Sequence, residues 1–236
     1  MELIRNTWTK KDGQDFIKYL KTLSNPSKEE WTRKIINTKM PLLALKSKQI
    51  QELRTQIAKG NYKAFLDLKL FEILELQYIY VGLLFYLKDY ELVLPYLEAI
   101  VPFIDNWAVC DSIPFKKMQG KDREKFFTLA KNWSKSSLPF QRRIGIKILF
   151  EYTKATDKAN EIFEILNNFE TETHYYVDMI NAWLTCEMFI KQKALTLQFL
   201  KTNKLNKFTI NKAIQKCRDS FRVTDEEKQF LLKYKR

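Results

Sequence analysis

Apolar residues recur along most of the 236-residue chain at i, i+3, i+4 and i+7, the spacing of one helix face, and almost nowhere in the alternation of a half-buried strand. Phe65, Leu68, Ile73, Leu76, Ile79, Leu83 and Leu87 predict a helical stretch with a short break near Leu70. Phe126, Phe127, Ala130 and Trp133 predict another, and Ile144, Ile148 and Tyr152 a third. Helix starts are written in the polar positions. Asn25-Pro26-Ser27-Lys28-Glu29-Glu30 offers a cap and an acidic first turn, and Thr224-Asp225-Glu226-Glu227 offers a capping box. The one Asp-Gly pair, Asp12-Gly13, has no alternating runs beside it, so no hairpin is expected there.

Three helix openings can be laid over one another: LPFQRRIGIKILFEY from Leu138, ETHYYVDMINAWLTC from Glu172 and KFTINKAIQKCRDSF from Lys207. Each is followed by a second amphipathic stretch, namely Lys158 to Phe169, Lys191 to Thr202, and Glu226 to Tyr234. Helix pairs at such a period mark a stacked α-solenoid, because one pair cannot bury its apolar side alone. The expected fold is therefore all-α, a curved α-α superhelix of helical repeats forming a single domain over residues 1–236.

Composition narrows the function. Only five glycines and six prolines occur, and neither G-x-G-x-x-G nor G-x-x-x-x-G-K-[ST] can be read, which excludes the usual glycine-rich nucleotide cradles. The net charge of +13 is unevenly spread. Lys116 to Lys147 carries ten basic and two acidic residues, and Lys191 to Arg236 carries thirteen and four, so the rest of the chain is slightly acidic. Two basic blocks of this kind are the footprint of a polyanion binder. On a solenoid, the three helix openings would line the concave face and place Arg142, Arg143, Lys147, Lys212, Lys216 and Arg218 there. Backbone contacts from such residues give affinity without reading base sequence.

Cys110, Cys186 and Cys217 are far apart and form no C-x-x-C, and His174 is the single histidine, so neither a disulfide set nor a multi-histidine metal site is expected. The first residues, MELIRNTWTKKDGQ, contain no apolar core of a signal peptide. The least charged stretch, Leu76 to Leu87, has 12 residues where a membrane span needs about 20. A soluble, cytoplasmic monomer without metal or cofactor is expected.

IDNWAVCDSI (Ile104 to Ile113), PFQRRIGI (Pro139 to Ile146) and HYYVDMINAWL (His174 to Leu184), in this order and at these separations, resemble the bacterial DNA alkylation repair family. INTKMPLLALKSKQI (Ile36 to Ile50) and NKAIQKCRDSFRV (Asn211 to Val223) are similar to it as well, so the resemblance covers most of the chain from about Ser24. The family consists of HEAT-like-repeat proteins whose active members are DNA glycosylases for positively charged alkylpurines. The resemblance implies duplex DNA, alkylated or distorted, as partner. It implies a catalytic carboxylate at Asp111, indole faces at Trp107 and Trp183 that attract the cationic base, and a phosphate anchor at Arg143. Tyr175 and Tyr176 fall where family members place paired aromatics. A spacing of four puts Trp107 and Asp111 on one helix face. A cationic purine is already a good leaving group, so a carboxylate that stabilises oxocarbenium-like charge suffices without a strong general acid.

Two positions depart from the family pattern. After the second tryptophan, where glycosylase members can carry an arginine directed at DNA, Cys186 is followed by Glu187, and the stretch between Asn25 and Pro41 leaves room for only one helix. Two further readings therefore stand beside the glycosylase: a non-catalytic binder of distorted or branched DNA, and a helical-repeat scaffold for an acidic protein.

Overall fold

The computed structural model of the chain describes residues 1–236 and is all-α, with no β-strand. It separates into two compact units, Met1–Arg123 and Glu124–Arg236.

The first unit contains α1 (Lys10–Thr22), α2 (Pro26–Ile36), α3 (Ser47–Ala58), α4 (Tyr62–Leu66), α5 (Leu74–Leu83), α6 (Tyr90–Ile100), α7 (Trp107–Ser112) and α8 (Phe115–Met118). Its centre is α5, nine of whose ten residues are buried, packed between α3 and α7. A helix buried on every side has little amphipathic pattern, which is why this stretch reads as the least charged in the chain. Glu75 and the amide nitrogen of Gln77, both buried in it, are bound to backbone, while Gln77 Oε1 has no partner. Glu75 accepts from the amides of Leu43 (3.0 Å) and Leu45 (3.3 Å), and Gln77 Nε2 donates to the carbonyls of Phe71 (3.1 Å) and Phe103 (2.9 Å). Buried polar groups left unbound would cost about 1–3 kcal/mol each. Edge-to-face contacts among Trp8, Phe16 and Phe65, with centroids 5.0–6.0 Å apart, close the other side of the unit.

The second unit carries α9 (Arg123–Trp133), which starts at the boundary, then α10 (Pro139–Leu149), α11 (Ala159–Asn167), α12 (Tyr175–Lys191), α13 (Lys193–Thr202), α14 (Lys207–Asp219) and α15 (Asp225–Leu231). The three predicted openings are the starts of α10, α12 and α14, and the three predicted followers are α11, α13 and α15. α12 packs against both α10 and α14, and α11 against α13, the nearest-neighbour stacking of a helical-repeat array. Ten of the seventeen residues of α12 are buried, as its two neighbours require.

Two local expectations change, and a third is met. The gap between α4 and α5 runs from Asp67 to Ile73, wider than the predicted break, and includes Lys69 at φ 52°. Asn25 is the N-cap residue of α2 but its side chain caps no amide: its Oδ1 accepts from the Ser27 hydroxyl, and Pro26 sets the first turn. Asp12-Gly13 lies inside α1, where Asp12 closes a capping box with Thr9. No hairpin forms there, as expected, and Gly13 faces Leu68 and Leu70.

Gly145 marks where α10 meets the end of α9. A Cβ at this position would stand 2.7 Å from the Ser134 nitrogen and 3.0 Å from the Ala130 carbonyl oxygen, both backbone atoms that cannot rotate away. Gly145→Ala is expected to destabilise the protein by about 1–3 kcal/mol, read as a lower urea midpoint; an unchanged midpoint would show that the two helices have slack at this contact.

Candidate functional site

In the first unit, α7 is fixed at its N-terminal end. Asn106 caps it by accepting from the Val109 amide (3.0 Å) and donates to Asp105 (3.0 Å), whose carboxylate also accepts from the Thr38 hydroxyl (2.6 Å) and the Lys39 amide (2.8 Å). The short helix is thus laced to the loop after α2. Trp107 and Asp111 lie one turn apart on it, both half-buried. Asp111 is near enough to Tyr78 of α5 to oppose ionisation of the phenol. Burial first, then the charges of Glu75 and Asp111, push the Tyr78 hydroxyl up to about 12, so it stays a proton donor at neutral pH. Beside these residues an open groove of about 690 Å³ runs between α2, α3 and α5, lined by Trp31, Arg54, Glu75, Tyr78 and, from the end of α7, Ser112.

The remaining predicted residues belong to the second unit. Arg142 is wholly engaged: Nε and Nη2 reach the Glu172 carboxylate at 2.8 and 3.0 Å, and Nη1 donates to the carbonyls of Ser136 and Ser137. Arg143 is 5% exposed and donates to the Tyr176 carbonyl. Neither guanidinium is an open cationic arm; both tie α10 to the start of α12. Lys147 lies 5.0 Å from the ring centroids of Phe150 and Trp183, so the indole face expected to meet a cationic base already holds an ammonium. Tyr175 is exposed and its ring lies tilted against Phe208 (centroids 5.8 Å apart), over which Lys212 sits at 5.9 Å, while Tyr176 turns toward Phe140 (6.1 Å).

Lys216 and Trp183 line an open recess of about 330 Å³ with Cys186, Glu187, Asp219, Phe221 and Arg222. Glu187 does not present a bare carboxylate there, because Arg222, from the loop after α14, grips it with both nitrogens of its fork. Arg218 projects from the last turn of α14. The ion pairs of this unit use other cations, among them Lys158, Lys193 and Arg222, and leave Lys147, Lys212, Lys216 and Arg218 without a carboxylate partner. The residues brought together are therefore Trp107 with Asp111 in one unit, and Lys147 with Trp183 and Tyr175 with Lys212 in the other. Arg222, Phe221, Trp31, Arg54 and Tyr78 were not singled out from the sequence. Only Trp31, an indole on the polar side of an amphipathic helix, carried a local signal.

No group of acidic, histidine or cysteine side chains could hold a metal ion, and all three cysteines are buried thiols. No helix is long and apolar enough to cross a membrane.

The model of the family described as "DNA alkylation repair enzyme" matches residues 16–217, most of both units. The chain belongs to this DNA alkylation repair family. Among solved structures it is similar to AlkD2 from Streptococcus mutans, with 17% identity over 94% of this chain and 96% of that one and a TM-score of 0.50. It is also similar to smu.31 from Streptococcus mutans UA159, with 17% identity over 81% and 84% of the two chains and a TM-score of 0.48. At this identity the AlkD2 likeness establishes the all-α fold that the family member shares with it. No curated protein matches the chain.

His174, just before α12, is expected to make the protein sensitive to mild acid. Burial pushes the His174 imidazole below its ordinary value of 6.5, and Arg142 and Arg143 add to this against the opposing charges of Glu172 and Asp178. The unfolded chain therefore takes up the proton first, and stability is lost as pH falls below 6.5. The thermal midpoint should drop between pH 7.5 and 5.5, and His174→Gln should flatten that drop; identical slopes in the two proteins would contradict the assignment.

Proposed function

We propose that this member of the DNA alkylation repair family binds duplex DNA and hydrolyses the N-glycosidic bond of positively charged alkylpurines. The observation that carries the reading is the pairing of Trp107 and Asp111 on one face of a clamped, half-buried helix turn. In the reaction the bond from C1′ to the purine nitrogen breaks and its electron pair neutralises the cationic base. Water adds to C1′ and releases its proton to solvent. The Asp111 carboxylate stabilises the positive charge that develops on the sugar and orients the water, and the Trp107 indole attracts the charged base. In the second unit the Trp183 indole is already faced by the Lys147 ammonium, so a cationic base would have to displace that side chain to use it.

Phosphate contacts fall to Lys147, Lys212, Lys216 and Arg218, with the exposed Tyr175 beside them. Arg142 and Arg143 act by holding the start of α12 in place rather than by reaching out. The setting proposed is the reduced cytosol, where the three cysteines persist as thiols and the protein works as a monomer.

A second reading is favoured by a specific feature, the Arg222 fork closed on Glu187 next to Phe221, which is 94% exposed. An exposed aromatic at a loop tip flanked by cations suits insertion at a distorted base step, without excision. Release of 7-methylguanine from methylated duplex separates the two. The wild type should release base, and Asp111→Asn should lose about 100-fold or more in rate while still binding the duplex. A wild type that releases nothing, yet prefers a bulged or branched duplex over a matched one, would replace the glycosylase by the structural binder.

A further inference from the structure

The groove of the first unit has no part in the chemistry assigned to Asp111 and Trp107, and its lining is unusual in three respects. Trp31, on α2, is 63% exposed, with Lys28 Nζ 5.9 Å from its ring centroid. A large indole left in solvent on a helix that buries only Ile36 is not used for packing. Arg54, on α3, is half-buried in the groove wall and makes no ion pair and no hydrogen bond within the protein. Gly82 is what admits it: a Cβ there would stand 2.5 Å from Arg54 Cδ and Nη1, so the guanidinium lies directly against the α5 backbone. The groove also offers the Tyr78 hydroxyl and the cation of Lys46. Its single acid, Glu75, is already engaged by the amides of Leu43 and Leu45.

We infer that this groove is a binding site for one unstacked nucleotide, its base on the Trp31 indole and its phosphate on the Arg54 guanidinium. Three cations against one engaged carboxylate favour an anionic ligand, and a guanidinium without an internal partner is the donor that a phosphate matches. The exposed indole adds the flat surface that any base can stack on. The volume of about 690 Å³ lies in the range of small-molecule sites. As an extrahelical nucleotide of bound DNA, the ligand rests on the duplex-binding reading; a free nucleotide would offer the same chemistry.

The probe is deoxyadenosine monophosphate, titrated against the full chain while tryptophan fluorescence is recorded. Saturable quenching is expected, with deoxyadenosine and inorganic phosphate each binding about tenfold or more weakly. Trp31→Phe should abolish the quenching and Arg54→Gln should weaken binding about tenfold. Both variants should keep the wild-type thermal midpoint. A wild type without saturable quenching, or variants that quench like the wild type, would overturn the site. Competition then assigns the source. Displacement by a duplex with a single-nucleotide bulge, at concentrations where matched duplex does not displace, places the nucleotide in DNA. If neither duplex displaces it, the site belongs to free nucleotide and still stands. A chain that binds matched duplex but shows no Trp31-dependent signal refutes this inference alone; one that takes the mononucleotide but no duplex keeps the groove and ends the DNA reading.

Discussion

The second unit hangs on a run of polar contacts at the N-terminal ends of α10, α12 and α14. Arg142 forks onto Glu172, and Glu172 in turn receives the amides of Thr173 and His174 just before α12. Asn206, the cap of α14, donates to the Glu172 carbonyl (3.0 Å) and to Asp178 (2.9 Å), which also accepts from the Thr209 hydroxyl (2.8 Å). Burial works against the charge on Glu172, but the Arg142 side chain and the His174 amide outweigh it and hold the carboxyl below its ordinary value. Asp178 goes the other way, raised by burial despite its two side-chain donors. Apolar burial alone would let three stacked helices slide along one another, since hydrophobic contact is non-directional. These directed bonds set their axial register. With the register fixed, Tyr175, Phe208 and Lys212 meet, and Lys147 reaches Trp183.

The first unit solves the same problem with carboxylates turned toward loops. Asp105 and Glu75 each gather backbone amides from the segment between α2 and α3, which crosses the left-handed region at Asn37 (φ 56°) and Ala44 (φ 52°). Such a segment needs outside partners to persist. Its reward is a rigid edge beside which α7 carries Trp107 and Asp111. The first unit thus holds a carboxylate, indoles and a groove, and the second holds Lys147, Lys212, Lys216 and Arg218 with no carboxylate on any of them. A rigid, internally bound framework that leaves selected cations unbound is what a polyanion-binding surface requires, because ordering those side chains on a carboxylate would consume the charge meant for phosphate.

The helix pairs of the second unit were legible because their amphipathic period is strong and their order repeats. The fates of individual side chains were not. Arg142 and Arg143 read as DNA-facing cations of the concave face, yet their partners, Glu172 and the Tyr176 carbonyl, lie thirty or more residues away and leave no mark in local spacing. Cys186 followed by Glu187 read as the loss of an arginine, while Glu187 in the structure is bound by Arg222 from the loop after α14. Asn25 holds the cap position, but its side chain is taken by the Ser27 hydroxyl instead of a helix amide, and the proline after it sets the first turn. The groove holding Trp31 and Arg54 escaped notice because it is made by three helices and by a glycine whose importance lies only in what approaches it.

The central claim is that unpaired cations of the second unit hold a nucleic-acid backbone. The dependence of duplex affinity on salt tests it most directly, since every phosphate contact contributes about −0.9 to the slope of log K against log salt. The account predicts a steep slope for the wild type, made shallower by nearly two in a Lys212→Gln, Lys216→Gln double variant of unchanged thermal midpoint. A flat response, or a slope that the double variant leaves untouched, would contradict it.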